Sequence, residues 1–204
     1  MLIKIHPDNP SERRVGQIVE LLNAGGVIIY PTDTVYALAC AVDQKSAFER
    51  ICKLKNMQPR KAQFSMIFED LSHVARYVAQ LDTPQYRLLK RHLPGPFTFI
   101  LNAGSGLPGF LRANRKTVGI RIPHHNVSLA IVQGLGKPLL NTSLRSDDAI
   151  LEYFNEPESI HESFGKSVEC VVDSGPGTFY PSTIVDLTGP TPEVLREGRG
   201  ELVV

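Results

Sequence analysis

The chain predicts a single α/β domain built on a mixed, twisted sheet, and three observations carry that expectation. Short apolar runs rich in β-branched and aromatic residues, such as VII at 27–29, FSMIF at 64–68 and FTFIL at 97–101, read as strands. Between them lie segments with apolar residues at helical spacing, such as Val15, Ile18, Val19 and Leu22. Strands and helices mix without a strict βαβ rhythm, which argues for a mixed rather than an all-parallel sheet. At 204 residues the chain can bury one full core, and no repeat, linker or low-complexity stretch divides it, so one domain is expected over 1–204.

In order, residues 2–5 read as a first strand rather than an apolar leader. Ser11 is placed to cap a helix running to Ala24, where Gly25 stops it. Val27–Ile29 is a buried central strand, and Val35–Ala41 continues as strand after a polar turn. Ala47, Phe48, Ile51 and Cys52 form the apolar face of a helix ending near Lys55, followed by the loop NMQPRKAQ. After the strand at 64–68, Leu71, Val74, Ala75 and Val78, then Tyr86, Leu89 and Leu93, mark two helical segments closed by PGP at 94–96. GSGLPG at 104–109 reads as a loop with no helix behind it. Strands at 117–123, 137–140 and 168–172, helices at 126–134 and 157–165, and final strands in STIVDL and PEVLRE complete the sheet.

Composition narrows the classes. Apolar content of 42% with 21% charged residues is ordinary for a soluble globular protein, and no run approaches the ~20 residues a membrane-spanning helix needs. Cys40, Cys52 and Cys170 fit neither a disulfide framework nor a zinc site, so buried thiols in a reducing cytoplasm are expected. The His residues show no metal spacing, and no protein metal site is expected. His124-His125 follows the Arg121 strand directly, within reach of the pocket, and reads by default as a surface turn. A net charge of +1 gives no global attraction to nucleic acid. Two local basic clusters stand out: Lys53, Lys55, Arg60 and Lys61, and Arg112, Arg115, Lys116 and Arg121. Each reads by default as a solvated rim. Dinucleotide, Walker and serine-elbow motifs are absent.

The chemistry-bearing feature is the turn after Val27–Ile29. Pro31 lacks an N–H and keeps Tyr30 out of helical geometry, so pairing stops and Thr32, Asp33 and Thr34 are presented at the strand's carboxyl end. The arrangement recurs. KPLLNTS runs into Asn141, Thr142 and Ser143, and YPSTIVD places Pro181, Ser182 and Thr183 at the mouth of another strand. Three hydroxyl-rich strand ends predict one polar pocket.

The ordered set PTDTVYAL, KLK at 53–55, HLPGPFTFIL, TVGIRIP, KPLLNTSL, STIVDL and LREG resembles the YrdC family, over residues 10–200, and IHPDNP points to its YciO subgroup. The resemblance implies a YrdC/RibB-like twisted sheet with a concave basic surface. It implies synthesis of threonylcarbamoyl-adenylate from threonine, bicarbonate and ATP with Mg2+, serving threonylcarbamoyladenosine in tRNA. Carried over by matched position, Lys55 and Ser143 are catalytic and nucleotide-binding. Thr117 and Arg196 face the nucleotide. Arg121 clamps the threonine carboxylate, for which a bidentate guanidinium is suited. Thr34 and Asn141 contact threonine, and Thr32 and Tyr36 line the pocket. Read alone, Lys55 is equally a helix-terminal charge and Arg196 a surface arginine.

The match breaks where the family places Arg two positions after its lysine and Asn two after its serine; here Met57 and Arg145 stand there, and Ala37 replaces a glycine. Arg60 or Arg145 is the expected replacement cation. Two readings stay open: a synthase-like nucleotidyltransferase, and a non-catalytic holder of double-stranded RNA or tRNA with the same fold.

Overall fold

The computed structural model describes residues 1–113, 115–144 and 155–203, which form ten strands and seven helices. In chain order these are β1 (Leu2–Lys4), α1 (Glu12–Asn23), β2 (Ile28–Tyr30), β3 (Ala37–Ala41), α2 (Lys45–Leu54), β4 (Ser65–Ile67), α3 (Leu71–Val74) and α4 (Thr83–His92). They continue with β5 (Phe97–Asn102), α5 (Gly109–Arg112), β6 (Thr117–Arg121), α6 (Asn126–Leu135), β7 (Leu139–Ser143), α7 (Pro157–Phe164), β8 (Cys170–Asp173), β9 (Thr183–Asp186) and β10 (Glu193–Arg196). All ten strands join one mixed sheet in the order β1-β8-β2-β3-β7-β4-β6-β5-β9-β10. β1, β8 and β2 run parallel, as do β4 with β6 and β5 with β9; the other neighbours are antiparallel.

Burial divides the sheet. One face lies on a large core that takes Phe48, Ile51, Leu88, Leu89, Met66, Phe99, Ile120 and Val185, and so is covered by α2 and α4 along its length. The opposite face is covered only in part. There α1 and α6 pack on each other and on Ile28, Tyr30, Ala37, Ala39, Ile67 and Leu139. β2, β3 and β8 are therefore buried on both faces, and their sequences are continuous apolar runs. β5 and β9 instead alternate buried and half-buried residues, because none of the described helices lies over their second face. That open half-face is where the chain places its polar residues.

The expected elements form, with local differences. The 104–109 loop does lead into a helix: Gly109 opens the one-turn α5, which drives Leu107 and Leu111 into the core. Asn141–Ser143 and Thr183 lie inside β7 and β9 rather than beyond strand ends, since the sheet ladder continues through them. The three cysteines are buried free thiols, and burial raises Cys52 to a pKa of about 11. No helix among the described residues is long and apolar enough to cross a membrane.

Candidate active site

On the open half-face, register sets Asn141 of β7, Ser65 of β4, Gly119 of β6 and Ile100 of β5 side by side across four adjacent strands. These residues floor a cleft of about 450 Å³. Gly119 keeps the floor low: a Cβ there would stand 3.2 Å from Thr98 Cγ2 and 3.5 Å from Ser65 Cβ. A glycine inside a strand marks a place where another group approaches the backbone closely. The walls include Thr34, Thr117, Thr142, Ser143, Pro181, Ser182 and Ile184. Six cationic residues complete the lining, namely Arg60, Lys61, Arg115, Lys116, Arg121 and Arg196, and the described lining contains no carboxylate.

The Thr/Asp turn between β2 and β3 is built around a buried ion pair. Arg121 Nη2 donates to Asp33 Oδ1 at 2.8 Å and to Thr34 Oγ1 at 3.0 Å, with both charged side chains only 6% exposed. Asp33 Oδ2 accepts from the His124 N–H at 3.0 Å, and the Asp33 carbonyl accepts from Arg199 Nη1. Thr32 Oγ1 lies 3.0 Å from Thr34 Oγ1 and accepts from the Thr34 N–H. The turn is thus fixed from every side. One donor is left over: Arg121 Nε is buried and has no hydrogen-bond partner among the described residues. Such a group is costly unless something else satisfies it.

A second network orients Asn141. The Tyr30 hydroxyl donates to Asn141 Oδ1 at 2.8 Å, and Asn141 Nδ2 donates to Ser65 Oγ at 3.2 Å. Burial raises the Tyr30 pKa, so the phenol stays a donor and the amide is held one way round. On the far wall Thr98 Oγ1 and Ser182 Oγ meet at 2.8 Å, and Arg196 Nη2 donates to the Ser182 carbonyl at 2.8 Å. At the near lip, Arg115 donates to the carbonyls of Ala62 and Phe64, and desolvation lowers its pKa. It braces the segment that carries Arg60 and Lys61.

The structure brings Thr34, Arg121, Asn141, Ser143, Thr117, Arg196 and Arg60 together in this cleft. It sets Lys55 beside them: its Nζ donates to the Ser143 carbonyl at 2.6 Å. Two expectations need correcting. Thr32 does not wall the cleft, because its hydroxyl turns inward to Thr34 and to the Val35 carbonyl. Tyr36 lies on the opposite face of the sheet, in the large core, and its hydroxyl donates to the Gly175 carbonyl at 2.7 Å. Arg145 lies outside the described residues. Ser65 and Thr98 line the cleft without having been singled out, while Ser182, expected at a pocket-forming strand end, and Lys61 and Lys116, read as rim charges, line it too. The signal for Ser65 and Thr98 was the polar half of an alternating strand in FSMIF and FTFIL, visible only once the open face is known. His125 also differs from a surface turn: it caps α6, with Nδ1 accepting from the Ser128 N–H.

A half-open mixed sheet cradling a cationic, hydroxyl-lined cleft defines the architecture of this α/β protein. The chain belongs to the Sua5/YciO/YrdC family: the family model Sua5_yciO_yrdC, described as telomere recombination, matches residues 20–198. It is 39% identical over 199 residues to the Escherichia coli K12 protein named Uncharacterized protein YciO, covering 97% of this chain and 95% of that one. A Haemophilus influenzae protein is 39% identical over 197 residues, covering 96% and 94%. The crystal structure of E. coli YciO superposes with a TM-score of 0.90 at 38% identity, covering 98% of this chain and 97% of that one. The fold is shared with P. abyssi Sua5 complexed with L-threonine, at a TM-score of 0.85 and 22% identity, covering 97% of this chain and 57% of that one.

Proposed function

We propose that the cleft binds ATP and an amino acid together and transfers the adenylyl group, as an L-threonylcarbamoyladenylate synthase does for tRNA threonylcarbamoyladenosine. The observation that carries this reading is the lining: six cations and no carboxylate among the described residues, around a buried arginine with an unpartnered donor. Cations of that density favour a polyphosphate. The orphan Arg121 Nε, beside Thr34 and Asn141, suits a single carboxylate such as that of an amino acid. The L-threonine complex of P. abyssi Sua5 supports threonine in this role.

Threonine's amine and bicarbonate condense to a carbamate with loss of water. A carbamate oxygen then attacks the α-phosphorus, a new P–O bond forms, the bond to the bridging oxygen breaks, and pyrophosphate leaves. Charge grows on the phosphate oxygens, and preorganised donors stabilise it. Lys55, Ser143, Thr117 and Arg196 are assigned to the nucleotide, and Arg60 closes from the near lip as the cation absent at position 57. The described lining offers Mg2+ no carboxylate. The ion fits as part of a MgATP substrate, carried on the phosphates.

Pyrophosphate release from ATP is the test, with threonine and bicarbonate each supplied and withheld. Release is expected only when all three are present, and Arg121→Lys, which keeps the charge but loses the fork, is expected to cut it roughly 100-fold. Release that ignores threonine, or none with all three, overturns the reading. The exposed Arg60, Lys61 and Lys116 on the rim favour the second reading, a non-catalytic holder of double-stranded RNA or tRNA. It requires RNA affinity that falls steeply with salt and no pyrophosphate release.

A further inference from the structure

The loop joining β8 to β9 is pinned along its length. The Tyr36 hydroxyl holds the Gly175 carbonyl at 2.7 Å, and Gly177 sits so close that a Cβ would come within 2.8 Å of the Tyr36 ring. The Thr178 N–H donates to the Thr34 carbonyl at 3.4 Å, and the Thr178 hydroxyl donates to the Tyr180 carbonyl at 3.3 Å. The Arg199 N–H donates to the Pro181 carbonyl at 2.9 Å. A loop so fixed has every opportunity to bury its apolar side chains. It instead leaves two consecutive aromatics in solvent, Phe179 at 55% and Tyr180 at 68% exposure.

The next two residues, Pro181 and Ser182, wall the cleft. Tyr180 therefore stands within roughly 7 Å of that wall along the backbone, less than the length of a nucleoside phosphate. The Arg196 guanidinium bonds the Ser182 carbonyl, so a cation of the cleft is held against the residue two positions beyond Tyr180. Exposed aromatic faces beside a groove of cations are the composition that stacks bases while holding their phosphates.

We infer that Phe179 and Tyr180 form a shelf on which a nucleobase stacks while its phosphates lie on the cations of the cleft. The inference rests on the nucleotide reading above and adds to it the seat of the base. A free nucleotide and a nucleotide within RNA share this chemistry.

The experiment compares the affinities of ATP, inorganic tripolyphosphate and a short single-stranded oligoadenylate for the wild-type chain, Tyr180→Ala and Tyr180→Phe. The wild type is expected to bind ATP or oligoadenylate at least roughly tenfold more tightly than tripolyphosphate, the low end for base–aromatic stacking. Tyr180→Ala is expected to erase that margin without weakening tripolyphosphate, and Tyr180→Phe to keep it. The chain has no tryptophan, so Tyr180→Trp supplies a lone indole whose fluorescence ATP should quench and tripolyphosphate should not. A loss confined to ATP assigns the shelf to a free nucleotide, and one confined to oligoadenylate assigns it to RNA; either supports it. If ATP and oligoadenylate bind no tighter than tripolyphosphate, or Tyr180→Ala weakens all three alike, the shelf falls and the anionic cleft stands. If none of the three binds, both fall.

Discussion

At the scale of single residues, the cleft depends on Asp33, which holds Arg121 in its wall. Both charges are buried, and each is tolerated only because the other is there. Asp33→Ala strands a buried guanidinium and is expected to cost about 3–5 kcal/mol in urea unfolding, whereas a Asp33→Leu, Arg121→Met double substitution should recover most of that loss. Equal destabilisation of the single and double variants would show that the loss does not come from a stranded charge. Asp33 was legible as a polar turn residue, but its partner was not, because 88 positions separate them. Position 57 shows the opposite case. Compared with the family pattern, Met57 reads as a missing arginine. The structure shows what the residue does: the Met57 N–H donates to the Cys52 carbonyl at 2.8 Å and the Asn56 N–H to the Lys53 carbonyl at 3.2 Å, with Asn56 at φ 51°. That is a Schellman stop for α2, and Met57 is the apolar residue that packs beneath it. The turn aims Lys55 at Ser143, so the thioether serves the site through the backbone rather than through charge.

At the scale of elements, helix ends decide how the turn and its neighbours meet. α6 was legible from its apolar face, but its cap was not, since His is not among the usual N-cap residues. His125 acts as one because its neutral Nδ1 accepts from the Ser128 N–H at 3.4 Å, while the Ser128 hydroxyl donates to the Pro31 carbonyl at 2.7 Å. Burial lowers the His125 pKa below 6.5, against the opposing pull of Asp33 and Asp8. Between the folded and unfolded pKa values the unfolded chain binds more protons, so stability rises with pH there. His125 therefore withdraws stability as pH falls through 6.5 towards its folded value. His125→Asn keeps an N-cap without the titration, and the slope of urea midpoint against pH between 7 and 5 should flatten. An unchanged slope would mean that His125 stays neutral or titrates alike in both states. The short α5 went unread for a related reason: with Pro108 before it and a single turn, its formation follows from Leu107 and Leu111 reaching the core, not from local propensity.

At the scale of the molecule, segments beside β9 and β10 are tied back to the turn between β2 and β3. Five steps separate β3 from β9, roughly 24 Å in a flat sheet. The loop from β8 to β9 and the segment after β10 span that gap: the Thr178 N–H reaches the Thr34 carbonyl, and Arg199 reaches the carbonyl of Asp33. The segment that carries Arg199 is gripped by the buried Thr183 hydroxyl, which accepts from the Gly198 and Gly200 N–H groups and donates to the Gly200 carbonyl. The mixed α/β class was legible from the strand and helix patterns. These ties were not, because they join residues far apart in sequence. Arg199 thus acts as a strap from the sheet's far end to the Thr/Asp turn, and through it to Arg121. Arg199→Ala is expected to weaken threonine binding, measured by calorimetry, roughly tenfold, a loss of about 1.4 kcal/mol and the size of one charge-assisted hydrogen bond. Tripolyphosphate binding should hardly change, since its cations do not depend on that turn. Hydrogen exchange at Asp33 and Thr34 should quicken in the same variant. If both ligands weaken together, Arg199 supports the whole cleft rather than the turn; if neither does, the strap has no part in binding.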